Sequence, residues 1–207
     1  MKQINKNEIG QFFSSGKINS KTNLCISLEK FGSDKCSDWH NYSPFYEFMF
    51  SEDRESDLRL FEVGIYGGAS VRAWKDYFRN SKIYCGDVNA DYFIEEDRIQ
   101  SFFCDQDNPD SIKSMWENET LRDIQFDIII DDGKHEYISN VNFLENSYHK
   151  LKKGGIFIIE DLTRSTFDGF QERIEEIKQR LFPSHIQLIA IPNEKNSIDN
   201  NILIIQK

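Results

Sequence analysis

From residue 58 onward the chain alternates short runs of β-branched and aromatic residues with longer segments in which apolar residues recur every three or four positions. The first pattern suits strands and the second amphipathic helices, so their alternation predicts βαβ units and a largely parallel sheet. Strands are expected over 58–63, 83–88, 99–104, 126–131, 156–160, 185–191 and 201–205, and helices over 70–79, 109–117, 137–152 and 167–181. Pro183 cannot continue the last helix. Phe126-Asp-Ile-Ile-Ile-Asp131 and Ile156-Phe-Ile-Ile-Glu160 are near-continuous apolar runs, as central strands covered on both faces require. The last two strands are joined by a polar segment too brief for a crossover helix, which implies a hairpin. The fold class expected is therefore α/β, a seven-stranded, mostly parallel sheet with one antiparallel strand and helices on both faces. Residues 1–57 lack the alternation and are expected to form a helical cap or entrance segment at the ligand edge. Residues 58–207 would then be the core of a single domain, since 207 residues bury one sizeable core without dividing.

The turn between the first strand and helix reads Glu62-Val-Gly-Ile-Tyr-Gly-Gly-Ala-Ser70, with glycines at Gly64, Gly67 and Gly68. This turn is where α/β sheets bind nucleotides, because glycine lets the backbone approach a ligand closely. Ser70 is placed to cap the helix that follows. The second strand ends in Cys85-Gly-Asp87, setting Asp87 where an acid can accept hydrogen bonds from both ribose hydroxyls. Tyr66 stands where a dinucleotide loop needs its second glycine, so that fingerprint fails. A cofactor without a pyrophosphate fits better, and Glu62 suits a ligand carrying an ammonium group, as S-adenosylmethionine does. Asp105, after the third strand, is placed to accept from an adenine amino group or else to cap a helix.

The fourth strand delivers Asp131-Asp-Gly-Lys-His135 and the fifth Glu160-Asp161, so several carboxylates leave the same sheet edge. Such a cluster needs a cation or protons to neutralise it. An all-oxygen set without cysteine favours Mg²⁺, or Mn²⁺ or Ca²⁺, over zinc, with Asp132, Glu160 and Asp161 as expected ligands. His135 follows on the same loop and suits the removal of a proton from a metal-bound hydroxyl. The bland alternative is a set of capping and solvated loop acids. His149 and His185 fall away from this edge and read as structural or exposed.

Composition narrows the partners. The formal charge of −10 opposes a polyanion, and no basic stripe with interleaved aromatics relieves it, so nucleic acid is not expected. No run approaches the roughly 20 apolar residues of a membrane span, and the opening residues lack a signal peptide's apolar core, so no membrane partner and a cytoplasmic location are expected. Cys25, Cys36, Cys85 and Cys104 form no Cys-x-x-Cys pair and read as thiols of a reducing compartment.

Taken together the pattern resembles the class I S-adenosylmethionine-dependent methyltransferases, which are Rossmann-like, and more narrowly the metal-dependent sugar O-methyltransferases of the mycinamicin and macrocin type. The resemblance rests on the 62–70 loop, Asp87, Cys104-Asp-Gln106, Asp131-Asp-Gly-Lys-His135 and Ile159-Glu-Asp-Leu162. Gly32-Ser-Asp-Lys-Cys-Ser-Asp-Trp-His-Asn-Tyr-Ser-Pro-Phe-Tyr46 looks like the family's entrance motif, with Cys36 in place of an aromatic and Ser43 in place of a threonine. The resemblance implies that Asp132, Glu160 and Asp161 hold the metal, that His135 is the catalytic base, and that Gln106, Asp131, Lys35, Tyr42 and Ser43 join Glu62, Gly64, Tyr66, Gly67, Gly68, Ser70, Asp87 and Asp105 around the cofactor. The sequence departs from some macrolide enzymes in lacking their extra amino-terminal domain, which leaves the acceptor and the oligomeric arrangement open, a homo-oligomer being one expectation. The implied acceptor is a hydroxyl of a sugar, in a surface polysaccharide or a glycosylated natural product. A catechol-like oxygen, a phosphate or phosphoramidate oxygen, and a non-catalytic cofactor-binding module are the alternatives.

Overall fold

The computed structural model describes residues 1–36 and 39–207, so Ser37 and Asp38 of the entrance stretch lie outside the described residues. Strands β1 (Arg59–Val63), β2 (Lys82–Asp87), β3 (Ile99–Phe103), β4 (Phe126–Asp131), β5 (Leu151–Ile159), β6 (His185–Ala190) and β7 (Asn201–Gln206) form one sheet in the order β3-β2-β1-β4-β5-β7-β6. Strands β1 to β5 pair in parallel, while β7 runs antiparallel to both β5 and β6. This is the seven-stranded, mostly parallel arrangement expected.

Helices α1 (Lys6–Ser14), α2 (Asn23–Phe31), α3 (Ser43–Phe50), α4 (Ala69–Tyr77), α5 (Pro109–Trp116), α6 (Tyr137–Ser147) and α7 (Arg164–Leu181) cover the sheet. Because side chains alternate along a strand, neighbouring residues serve different cores. Leu60, Ile128, Ile130 and Ile158 pack with Trp74, Tyr46 and Phe45 on one face, and Phe61, Ile129 and Phe157 pack with Trp116, Phe143 and Phe170 on the other. Residues 1–57 supply α1, α2 and α3 to the first of these cores, and the Gln206 amide at the end of β7 bonds both Ile4 N–H at 2.8 Å and the Lys2 carbonyl at 2.9 Å. Among the described residues no helix is long and apolar enough to cross a membrane.

Three boundaries differ from expectation by three residues or more. The helix expected over 137–152 stops at Ser147, and β5 starts at Leu151 rather than 156. Gly154 and Gly155 lie inside the strand; Gly154 has φ 78°, and the β4–β5 register shifts between Phe126 and Ile128 to absorb the irregularity. Helix α7 begins at Arg164 because the Thr163 side chain caps it, accepting from Thr166 N–H.

Candidate active site

The strand order reverses between β1 and β4, where connections from adjacent strands run to opposite sides and open a crevice at the carboxyl ends. A cleft of about 1010 Å³ occupies this position, bordered by Gly64, Asp87, Asp105, Asp132, His135 and Asp161 from five different strand ends. Residues 31–34 close one side.

Gly64 makes the crevice narrow at its base. With φ 97° and its Cα against the Asp132 carbonyl, it leaves no space for a Cβ. The β1 turn and the β4 loop therefore touch, and Asp132 N–H donates to the Val63 carbonyl at 2.9 Å. Asp87 accepts from Ile65 N–H at 2.8 Å, Tyr66 N–H at 3.4 Å and Asn89 N–H at 2.8 Å, which fixes its carboxylate at the rim. Tyr66 is 79% exposed, and its ring meets Tyr92 edge-on at 5.5 Å, leaving an apolar wall beside Asp87. Gly67 and Ser70 line the cleft, and Gly68 precedes α4 with φ 74°.

Several residues expected around the cofactor also have partners within the protein. Asp131 is wholly buried behind the cleft wall, where Gln106 Nε2 (2.7 Å), Asn140 Nδ2 (3.0 Å) and Gly133 N–H (3.3 Å) donate to it. Burial pushes its carboxyl up to about 6. Gln106 also accepts from Lys134 N–H at 2.9 Å, so its amide ties the β3 and β4 loops together. Ser43 is buried and contacts Cys25 Sγ at 2.9 Å, in the packing between α2 and α3. Asp105 lines the cleft but also accepts from Asp107 N–H at 3.0 Å as a turn residue. Glu62 is fully enclosed, with Lys35 Nζ 3.7 Å from its carboxylate. Burial raises the Glu62 carboxyl to about 7 against the pull of that lysine. Gln106 and Asp105 line the cleft, whereas Asp131, Ser43 and Glu62 are buried and do not border it.

The acids of β4 and β5 converge with the amino-terminal segment. Lys35, 2% exposed, places its ammonium 2.5 Å from Asp132 Oδ2 and in contact with Glu160 Oε2. Burial opposes the charge on Lys35, but Asp132, Glu160, Glu62 and Asp161 outweigh it and raise its pKa well above the ordinary value. Tyr46 OH donates to Glu160 Oε1 at 2.5 Å and Tyr42 OH to Asp161 Oδ1 at 2.8 Å. Tyr42 thus supports Asp161 rather than the cofactor directly. His135 Nε2 lies 3.3 Å from Asp132 Oδ1 and 3.6 Å from Asp161 Oδ2. Burial works against protonation of His135, yet Asp132 and Asp161 prevail and lift it to about 9. Burial likewise opposes ionisation of Asp132, but Lys35 and His135 hold its carboxyl down at about 2, while Asp161 is pushed up to about 6 by burial and the Asp132 charge. Donor atoms of Asp132, His135 and Asp161 lie within 4.8 Å of one another, close enough to share one ion, whereas Glu160 is engaged by Lys35 and Tyr46. Four carboxylates thus gather around the Lys35 ammonium and the His135 ring, an oxygen-rich set of the kind that suits a hard divalent cation.

His135 and Asp161 both adopt left-handed backbone, with φ 59° and 54°. Non-glycine residues rarely do so, and such strain concentrates where a side chain must be aimed.

Two residues at this site carry no assignment from sequence. His40, 3% exposed, approaches Asp161 Oδ1 with Nδ1 at 3.3 Å and stacks on Tyr42 at 4.9 Å. Tyr46 holds Glu160. The signal that could have found Tyr46 is its i, i+4 spacing from Tyr42, which puts both hydroxyls on one helical face. His40 has no such spacing cue.

No family model matches the chain. It is similar to the demethylmacrocin O-methyltransferase of Streptomyces fradiae, 31% identical over 168 residues that make up 75% of this chain and 40% of that protein. It is also similar to the 8-demethyl-8-alpha-L-rhamnosyl tetracenomycin-C 2'-O-methyltransferase of Streptomyces olivaceus, 32% identical over 68% of this chain and 38% of that protein. The mycinamicin VI 2''-O-methyltransferase of Micromonospora griseorubida is 27% identical over 72% of this chain and 38% of its own. The chain therefore spans about two fifths of the length of these relatives. Its fold matches that of the MycE methyltransferase of the mycinamycin biosynthetic pathway, solved with Mg and SAH, at a TM-score of 0.73 and 20% identity, covering 98% of this chain and 62% of that one.

Proposed function

We propose that the chain transfers a methyl group from S-adenosylmethionine to a hydroxyl of a saccharide-linked acceptor, with Mg²⁺ as the first-choice metal, a reading supported by its similarity to the sugar O-methyltransferases of macrocin, mycinamicin and tetracenomycin type and by its Rossmann-like fold. One observation carries this reading: a single cleft is lined at one end by the Gly64–Gly67 turn and Asp87 and at the other by Asp132, His135 and Asp161. Donor and acceptor sites that share a cleft let geometry replace diffusion, which is worth more than any single catalytic group.

Asp87 is placed to accept from ribose hydroxyls, its carboxylate already oriented by three backbone N–H groups. Asp132 and Asp161, with Glu160 beside them, would hold the metal. A divalent ion there would lower the pKa of a bound acceptor hydroxyl and offset the carboxylates that keep His135 protonated. His135 would take the hydroxyl proton in its neutral form, from a ring whose Nε2 lies 3.3 Å from Asp132 Oδ1 and 3.6 Å from Asp161 Oδ2. Tyr42 and His40 hold Asp161, and Tyr46 holds Glu160, from the side away from the cleft. The acceptor named for MycE in a second structure, mycinamycin VI, makes a glycosylated small molecule the first class to try.

The test is transfer of radiolabelled methyl from S-adenosylmethionine to a panel of sugars, sugar nucleotides and glycosides, with Mg²⁺ and with EDTA. Labelled product that appears with Mg²⁺ and vanishes reversibly with EDTA is expected. Transfer undiminished by complete metal removal would overturn the metal's part, and an absence of S-adenosylmethionine binding would overturn the whole.

A further inference from the structure

Lys35 has no task in the chemistry proposed above, yet it is the ammonium enclosed among the site's carboxylates. Its Nζ touches Glu160 Oε2, lies 2.5 Å from Asp132 Oδ2 and stands 3.7 Å from Glu62 Oε1. The other Glu160 oxygen accepts from Tyr46 at 2.5 Å, so Glu160 has both oxygens engaged by the amino-terminal segment. Asp132 is divided, with Oδ2 on Lys35 and Oδ1 facing His135 at 3.3 Å. Each Glu160 oxygen keeps a lone pair, but an ion bound there beside Asp132 would stand directly against the Lys35 ammonium.

We propose that Lys35 is a resident counter-cation which a divalent ion must displace from Asp132 and Glu160, so that ammonium and metal hold the acid cluster in turn. This rests on the metal reading of the site. An ammonium and a divalent ion sharing the Asp132 carboxylate would lie only a few ångströms apart, and like charges that close in a partly dry site repel strongly. With neither cation, Glu62, Asp132, Glu160 and Asp161 would face one another with only the His135 ring, beside Asp132 and Asp161, to offset them, an arrangement that buried acids avoid. The backbone of Lys35 is pinned, because its carbonyl accepts from Tyr42 N–H at 2.9 Å and Ser43 N–H at 3.1 Å. The side chain is therefore the part that yields. A flexible four-carbon stem allows this, and residues 31–34 just before it border the open cleft.

The experiment is calorimetric titration of Mg²⁺ into the wild-type chain, Lys35→Met and Lys35→Arg at one ionic strength. Lys35→Met should bind Mg²⁺ about 5- to 150-fold more tightly, the span of ordinary coupling free energies, while Lys35→Arg stays near wild type. Metal-free Lys35→Met should melt lower than wild type and gain more in Tm on saturation with Mg²⁺. Binding by Lys35→Met alone also supports the proposal. Equal or weaker binding by Lys35→Met, with wild type still binding, overturns it and leaves the metal reading standing. Failure of both to bind overturns the two together. Should Lys35→Met not fold, wild-type chain carrying ¹³C at lysine Cε serves instead: a buried lysine signal that moves as Mg²⁺ saturates is expected, and one that stays fixed with Mg²⁺ bound overturns displacement.

Discussion

Asp87 and Asp161 stand on the rim of the same cleft at the ends of parallel strands, but they are held in opposite ways. Asp87 is fixed by backbone N–H groups of its own loop and of the β1 turn 21 and 22 residues earlier. Asp161 is fixed by side chains, Tyr42 from 119 residues away and His40 beside it, and burial pushes its carboxyl up to about 6. One end of the cleft is thus a product of a single βα turn. The other exists only when the amino-terminal segment packs against β4 and β5, so it couples chemistry to folding of the whole chain.

The sharpest break between the two ends should come from His135→Ala. Methyl transfer is expected to fall by roughly 10²- to 10⁴-fold, the usual worth of a positioned base, while calorimetric affinity for S-adenosylhomocysteine stays at the wild-type value. A matching loss of affinity would mean that the two ends are not separable. Asp87→Ala should do the reverse, weakening S-adenosylmethionine binding by about 10- to 100-fold, as loss of hydrogen bonds to a charged group implies, with no change in Mg²⁺ affinity.

Tyr46→Phe tests the coupling to folding. It leaves a buried Glu160 oxygen without its donor, and a stability loss of about 1–3 kcal/mol in urea unfolding is expected. A loss near zero would show that the amino-terminal segment does not brace the acids.

The smallest effect concerns pH. Glu62 has its folded pKa raised from 4.5 to about 7. A raised value means that the folded state favours the protonated acid. Its contribution to stability is complete below pH about 4.5 and disappears as pH rises through 7. Urea midpoints of wild type should therefore fall relative to Glu62→Gln between pH 5 and 8, without added metal. A constant difference across that range would contradict the burial of an unmet carboxylate at this position.

The sheet and the β1 turn were legible in the sequence because their signals are local. Ile128 to Ile130 read as a central strand from composition alone, and Gly64 through Ser70 read as a binding turn from spacing. What could not be read was which atoms meet at the acid cluster. Lys35, Tyr42 and Asp131 were grouped with the cofactor on resemblance, yet Lys35 lies among the carboxylates, Tyr42 behind Asp161, and Asp131 behind the wall, held by Asn140 and Gln106. Those partnerships join residues 97 and 119 positions apart in two of the three cases, and no periodicity links them. Glu62 is a related case. An acid before a glycine turn suggests an outward-facing ligand group, but the strand's alternation turns it inward toward Lys35.

His135 and Asp161 sit in left-handed backbone at φ 59° and 54°. Histidine and aspartate tolerate that conformation better than most residues, and glycine and asparagine better still. Selection of variants of this chain for heat resistance alone would therefore draw positions 135 and 161 toward glycine or asparagine, trading the reactive side chains for relaxed loops. Recurrent loss of the same two residues under such selection, with the sheet intact, would be the imprint of a site that evolution keeps against the preference of its own backbone.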